Sequence, residues 1–507
     1  MDRRVALPVA LSALLAGCAF SVGGPATGSF RTPESRNAPE LALQQFYDQT
    51  LAWQECGSGN ECARLQVPMD YASPGAGTVE LAVVRVPSSG QGRDGTLVVN
   101  PGGPGGSGVE YAEAADLVLT SDLRQAYDVV GFDPRGVGAS DPLQCTTGPQ
   151  LDQFIAADGS PDTPDELAAV DAESKELGAR CLAADATLAA NIGSANVVKD
   201  MDILRAALDQ PKLNYLGFSY GTYLGALYAD EFGTRVGRFV LDGAIDPTLT
   251  NTDLSHGQAV AFEVALQRYL DDCAATSSCP LGTDPAAAKQ KLLDLLAKID
   301  AQPLPTSDPK RPLTQSLALS GVIYPLYQPS LGWPLLTDAL AAALRGDGAP
   351  LLDIVDRFDE RSADGTYANN GLDALYAVNC VDRPDRPDLQ QTEQLAGTWA
   401  QEAPAFGAYL AYGNLPCGYW PLPATGTPKA IAAAEAPPIL VVGTQYDPAT
   451  PYAWAEALAE QLASGVLLTW QDADGHTAYN NGSACIDATI DGFLIDGIVP
   501  PDGKVCS

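Results

Sequence analysis

The sequence predicts an α/β protein: a mostly parallel sheet with helices on both faces and a large helical insertion. Three observations predict it. Short apolar runs alternate with helical segments along most of the chain. One run leads straight into Gly217-Phe218-Ser219-Tyr220-Gly221 and then a helical pattern. Between residues 246 and 430 the strand signals stop, and helical sequence with proline-rich joints replaces them.

The strand candidates are Glu80–Val86, Thr96–Asn100, Asp128–Phe132, Leu213–Gly217, Arg238–Asp242, Ile439–Gly443 and Val466–Trp470. Such runs, bounded by turn residues and separated by helices, suit strands covered on both sides. Gly257–Asp272 and Ala286–Ala301 read as helices of the insertion. The organisation expected is a leader at 1–17, a tether at 18–40, a core at 41–245, a lid at 246–430 and the rest of the core at 431–507.

The leader has a basic start, Met1-Asp2-Arg3-Arg4, and an apolar stretch of eleven residues from Val5 to Leu15. That is too short to span a bilayer and suits an export signal. It ends in Leu15-Ala16-Gly17-Cys18, which resembles a bacterial lipobox, so Cys18 is the expected lipidation site and the only link to a membrane. Of eleven cysteines, ten remain once Cys18 is set aside. They fall as neighbours along the chain, and five local bridges in an oxidising compartment are expected. There is no C-x-x-C, and with only two histidines in the chain a metal site is not expected. The net charge of −34 repels nucleic acid and anionic lipid.

G-x-S-x-G between a strand and a helix is the nucleophile elbow of α/β-hydrolases, with Ser219 as nucleophile. Its base must be His256 or His476. His476, in Asp474-Gly475-His476-Thr477, follows the last strand candidate and fits the chain order Ser, Asp, His; His256 precedes the expected acid. Asp447, after Ile439–Gly443, is the expected acid, with Asp242 and Asp246 as alternatives. Asp472 and Asp474 stand too near His476 in the chain to be favoured. Thr450 is placed to cap the next helix or brace the Asp447 turn. The run from Asn100 to Gly108, NPGGPGGSG, lets backbone approach a ligand closely. Gly103 and Tyr220 are the expected oxyanion donors. The run lacks the lysine of a phosphate-binding loop.

These strings, together with Phe132–Ser140 (FDPRGVGAS), GFSYGT, Val240–Pro247 (VLDGAIDP), CAATSSCP, AVNCVD, YDPATP and DGHTAY, resemble the bacterial tripeptidyl aminopeptidase family of α/β-hydrolases. The resemblance covers nearly the whole chain beyond the leader. It implies cleavage of short peptides from a free N-terminus by Ser219, Asp447 and His476, with no cofactor. The related prolyl enzymes carry a histidine where this chain has Pro101, which favours the tripeptidyl branch. An exopeptidase needs a carboxylate for the substrate amine, and Asp382 in AVNCVD is the candidate. The competing functions are a carboxylesterase or lipase with the same triad, a proline iminopeptidase-like enzyme, and a peptide-binding lipoprotein without activity.

Overall fold

The computed structural model describes residues 34–90 and 95–507. The leader, Cys18 and the tether up to residue 33 lie outside the described residues. Ten strands form one sheet: β1 (Gln54–Gly57), β2 (Asn60–Pro68), β3 (Thr78–Val86), β4 (Gly95–Asn100), β5 (Tyr127–Phe132), β6 (Leu213–Phe218), β7 (Val236–Asp242), β8 (Ile439–Tyr446), β9 (Gly465–Asp474) and β10 (Lys504–Cys506). Their order is β1-β2-β3-β5-β4-β6-β7-β8-β9-β10. The pairs from β1 to β5 through β3 are antiparallel, and all the others are parallel. The fold is therefore the α/β-hydrolase arrangement expected. Each of the seven strands expected is present, some longer by a few residues. Three were not expected. β1 is exposed throughout and carries no apolar signal, and β10 is only three residues long. β2 reads as polar because its outward positions are charged or amide-bearing.

Alternate residues of the parallel strands enter two different cores. Val98, Tyr215, Phe239 and Val441 pack under the helices Ser194–Ala207, Tyr220–Glu231 and Tyr452–Gln461. Leu97, Leu216, Val240 and Leu440 face the helix Ala484–Asp496. Sequence order reverses where β4 lies between β5 and β6. At such a switch the loops leaving neighbouring strands diverge and open a crevice beyond the strands' carboxyl ends. The loop after β4 is the glycine-rich run, and the turn after β6 carries Ser219.

From Asn251–Ala274 to Leu415–Gly418 the chain between β7 and β8 is helical. It has its own apolar core around Leu266, Leu292, Leu317 and Leu336. Five disulfides join Cys56–Cys62, Cys145–Cys181, Cys273–Cys279, Cys380–Cys417 and Cys485–Cys506. These are the five neighbour pairs expected. Among the described residues no helix is long and apolar enough to cross a membrane.

The loop after β5 fixes the glycine-rich run from behind. Asp133 accepts bonds from Ser107 Oγ (2.6 Å), Val109 N (3.1 Å) and Ala139 N (2.8 Å). Arg135 is fully buried and makes a two-pronged pair with Asp200, Nε at 2.8 Å and Nη2 at 2.6 Å. Its remaining N–H groups reach the carbonyls of Pro68, Met69 and Asn191. Removing one partner of such a pair strands a charge away from water. Asp200→Ala should therefore cost about 3–5 kcal/mol, read as a lower midpoint in thermal or urea unfolding. A midpoint unchanged from wild type would mean that the pair contributes nothing.

Candidate active site

Ser219 sits at the end of β6 with φ 53° and ψ −122°, a left-handed backbone that a serine adopts only under constraint. Three bonds supply it. The Ser219 N–H donates to the Asp242 carbonyl (2.9 Å), and Thr222 donates to the Ser219 carbonyl through both N–H (2.8 Å) and Oγ1 (2.6 Å). The flanking glycines are required by packing. A Cβ on Gly217 would stand 2.5 Å from the Tyr215 ring, and one on Gly221 2.8 Å from the Asn100 carbonyl.

His476 enters from the loop after β9. Its Nδ1 lies 2.9 and 3.0 Å from the two oxygens of Asp447. Asp447 also accepts from Ala449 N (2.9 Å), Thr450 N (2.8 Å), Thr450 Oγ1 (3.0 Å) and Thr477 N (3.1 Å). Thr450 thus both caps the turn and braces the acid. Burial works against the imidazolium, but Asp447 and then Asp242 outweigh it, and the pKa of His476 is raised. Held through Nδ1 in this way, the ring leaves Nε2 clear of the carboxylate. Ser219 Oγ makes no hydrogen bond among the described residues. It lines the same cavity as His476, about 470 Å³ in volume. Loose contact between nucleophile and base is common where no substrate is bound.

The other acids and the other histidine are occupied elsewhere. Asp242 is buried and accepts from Ala478 N (3.0 Å) and Tyr479 N (2.8 Å), fixing the loop that carries His476; burial pushes its pKa up to about 6. Asp246 bonds Thr248 and Gln461. Asp474 pairs with Arg268 of the insertion, and Asp472 is exposed to solvent and does not line the cavity. His256 stacks on Trp399 and bonds Glu402, outside the cavity.

Gly103 lines the cavity beside Ser219, and both it and Tyr220 line the adjoining chamber. Neither backbone N–H has a hydrogen-bond partner among the described residues. Gly103 precedes Pro104 through a cis peptide bond.

Asp382 is placed differently from its expectation. It is 2% exposed and does not line the cavity. Its carboxylate is consumed by Ser194, through N–H at 2.8 Å and through the hydroxyl. Ser194 Oγ in turn bonds Tyr220 OH at 2.5 Å. A carboxylate so committed braces the side chain of Tyr220 from behind and has no free face for a substrate amine. The carboxylates that do line the cavity are Glu110, Asp359 and Glu360. No local pattern marks them, because the helical insertion brings two of the three together with Ser219. Tyr327 was also missed: its carbonyl accepts from His476 N (2.8 Å), and its ring meets the imidazole edge-on at 5.3 Å.

The family model described as TAP-like protein matches residues 403–506. Over the whole chain, the serine protease Hip1 of Mycobacterium tuberculosis is 38% identical, across 98% of this chain and 96% of its own. Carboxylesterase B of the same organism is also 38% identical, across 98% of each chain. The tripeptidyl aminopeptidase of Streptomyces lividans is 30% identical, across 90% of this chain and 86% of its own.

With two histidines in the chain, imidazole titration is simple to follow by NMR. His476 should titrate with a midpoint above the ordinary value of about 6.5. In Asp447→Asn the larger raising charge and its hydrogen bond are gone while burial and the weaker pull of Asp242 remain, so the midpoint should fall. An unchanged midpoint in the variant would break the assignment of Asp447 as the partner.

Proposed function

The chain belongs to the TAP-like family of α/β-hydrolase serine hydrolases, and within it we propose a serine exopeptidase that releases short peptides, tripeptides foremost, from a free N-terminus. One observation carries this reading. The cavity that holds Ser219 and His476 is lined by Glu110, Asp359 and Glu360 and, apart from His476, by no basic side chain. That lining suits an ammonium group.

In the reaction, His476 Nε2 takes the proton of Ser219 as Oγ attacks the scissile carbonyl. The N–H groups of Gly103 and Tyr220 hold the oxyanion. His476 then protonates the leaving amine, and water, deprotonated by the same imidazole, hydrolyses the acyl-enzyme. Asp447 keeps the imidazole in the tautomer that offers Nε2.

Glu360 is the residue we assign to the substrate amine. Its backbone is left-handed (φ 54°), and Asn369 Nδ2 holds its carboxylate at 2.8 Å. Strain of this kind persists where surroundings enforce it, often at ligand sites. Asp359 lies deeper, accepts from Tyr324 OH at 3.0 Å, and is pushed up to about 6 by burial. It is therefore charged at neutral pH and loses its charge as pH falls through 6. The cell-envelope location follows the same reading: a chain held at the membrane by a lipid on Cys18. Esterase activity is the second reading, favoured by the likeness to carboxylesterase B.

Ser219→Ala should lower kcat by roughly 10⁶-fold, and His476→Ala comparably, whereas His256→Ala should be mild; retained activity in either of the first two would overturn the assignment. Because His476 must be neutral to act, kcat/KM should rise with pH through a midpoint above about 6.5. A tripeptide anilide with a free amine should be cleaved and its acetylated form refused. Glu360→Gln should raise KM for the free-amine substrate by roughly two- to fivefold, the range for an exposed ion pair. Equal cleavage of both anilides would remove the exopeptidase reading, and cleavage of simple esters alone would replace it with the esterase.

A further inference from the structure

Beside the Ser219 cavity lies a second chamber of about 210 Å³. Gly103 and Tyr220 line it, so it opens next to the position assigned to the oxyanion. The opposite wall belongs to the insertion and includes Arg383 and Asn414.

Arg383 is 2% exposed. Its Nε donates to the Leu249 carbonyl (3.2 Å) and its Nη1 to Asn379 Oδ1 (3.0 Å). Both acceptors are neutral. Among the described residues no carboxylate forms an ion pair with it. Asp382, its chain neighbour, acts on it through space but gives the hydrogen bonds of both oxygens to Ser194, and Asp385 gives both of its oxygens to Asn251 and Thr252. The guanidinium also lies 5.2 Å from the Tyr223 ring centroid, which limits its movement. Asn414 is 7% exposed; its Oδ1 accepts from Ser255 (3.1 Å), and its Nδ2 is buried without a partner.

A buried cation whose hydrogen bonds all go to neutral acceptors, beside an amide donor with none, is a costly arrangement. It is explained when the missing acceptor belongs to a ligand. We propose that this chamber is a carboxylate subsite, in which Arg383 and Asn414 receive a carboxylate of the substrate peptide. The carboxylate is either an acidic side chain next to the scissile bond or the C-terminus of a short leaving peptide. The proposal rests on the peptidase reading and adds a preference at the end of the site opposite the amine.

The test is a ratio of kcat/KM values in the full exported protein. One arm compares tripeptide anilides ending in Glu and Gln. The other compares short peptides with a free and an amidated C-terminus. Wild type should favour the carboxylate form in one arm by about tenfold or more, as for a charge-assisted bond. Arg383→Gln should bring that ratio close to one. Asn414→Asp, nearly the same shape but repelling an anion, should bring it below the wild-type value, and decides the matter if Arg383→Gln does not fold. A wild-type ratio near one in both arms, or a ratio that survives both substitutions, overturns the proposal. If no peptide is cleaved but p-nitrophenyl butyrate is, the peptidase reading alone fails. The subsite is then judged by the ratio for p-nitrophenyl hydrogen succinate over the butyrate, with the same expectations.

Discussion

The carboxylate of Asp447 is the node on which the site depends. It ends the run of β8 and gathers donors from its own turn, from Thr450 and from the loop after β9. Nothing in the turn itself brings His476 to Ser219. The parallel register does that, by ending β7, β8 and β9 along one edge of the sheet. Asp242, at the end of β7, holds the same loop from the other side through Ala478 and Tyr479. Two carboxylates from adjacent strands therefore clamp one loop. The nearer one meets the imidazole, and the other stays on backbone N–H groups.

The insertion grips the same node. Gln258 donates to the Ala449 carbonyl inside the Asp447 turn (2.9 Å). Tyr327 accepts from the backbone of His476. Arg268 pairs with Asp474, two residues upstream. A helical stretch of this size makes many contacts with a core, but these fall on the elements that carry Asp447 and His476. The insertion does more than roof the cavity: its packing bears on the position of the imidazole.

Much of this was legible in the sequence. The elbow is marked by the glycines that packing at Gly217 and Gly221 demands, and the order of Ser219, Asp447 and His476 along the chain follows from which strand ends share the sheet edge. The disulfides join chain neighbours, so cysteine spacing alone indicated them. What was illegible depends on contacts between distant segments. Asp382 carried a familiar string but is spent on Ser194, 188 positions away. Glu360 and Asp359 have no pattern around them, since only the folded insertion sets them over Ser219. Asp133 and Arg135 lie in a string that was read as family-like without a role; their work, holding the glycine-rich run and pairing with Asp200, requires knowing which helix packs behind β5.

The charge distribution joins these local facts. A chain with net charge −34 has many acidic groups, and those in the cavity share its lining with no lysine or arginine. The opposite sign is informative. Arg383 is among the largest fully buried side chains, yet among the described residues its hydrogen bonds go only to neutral acceptors. Long-range repulsion by the surface is screened within about 8–10 Å at physiological salt, whereas a buried guanidinium acts at contact. The acidic cavity and the chamber with the arginine meet at Gly103. A peptide lying across that junction would have its amine and a carboxylate drawn to opposite sides of the reacting carbonyl. Such a field orients a substrate along its own dipole, and orientation at the scissile bond is a principal contribution that a binding site makes to rate.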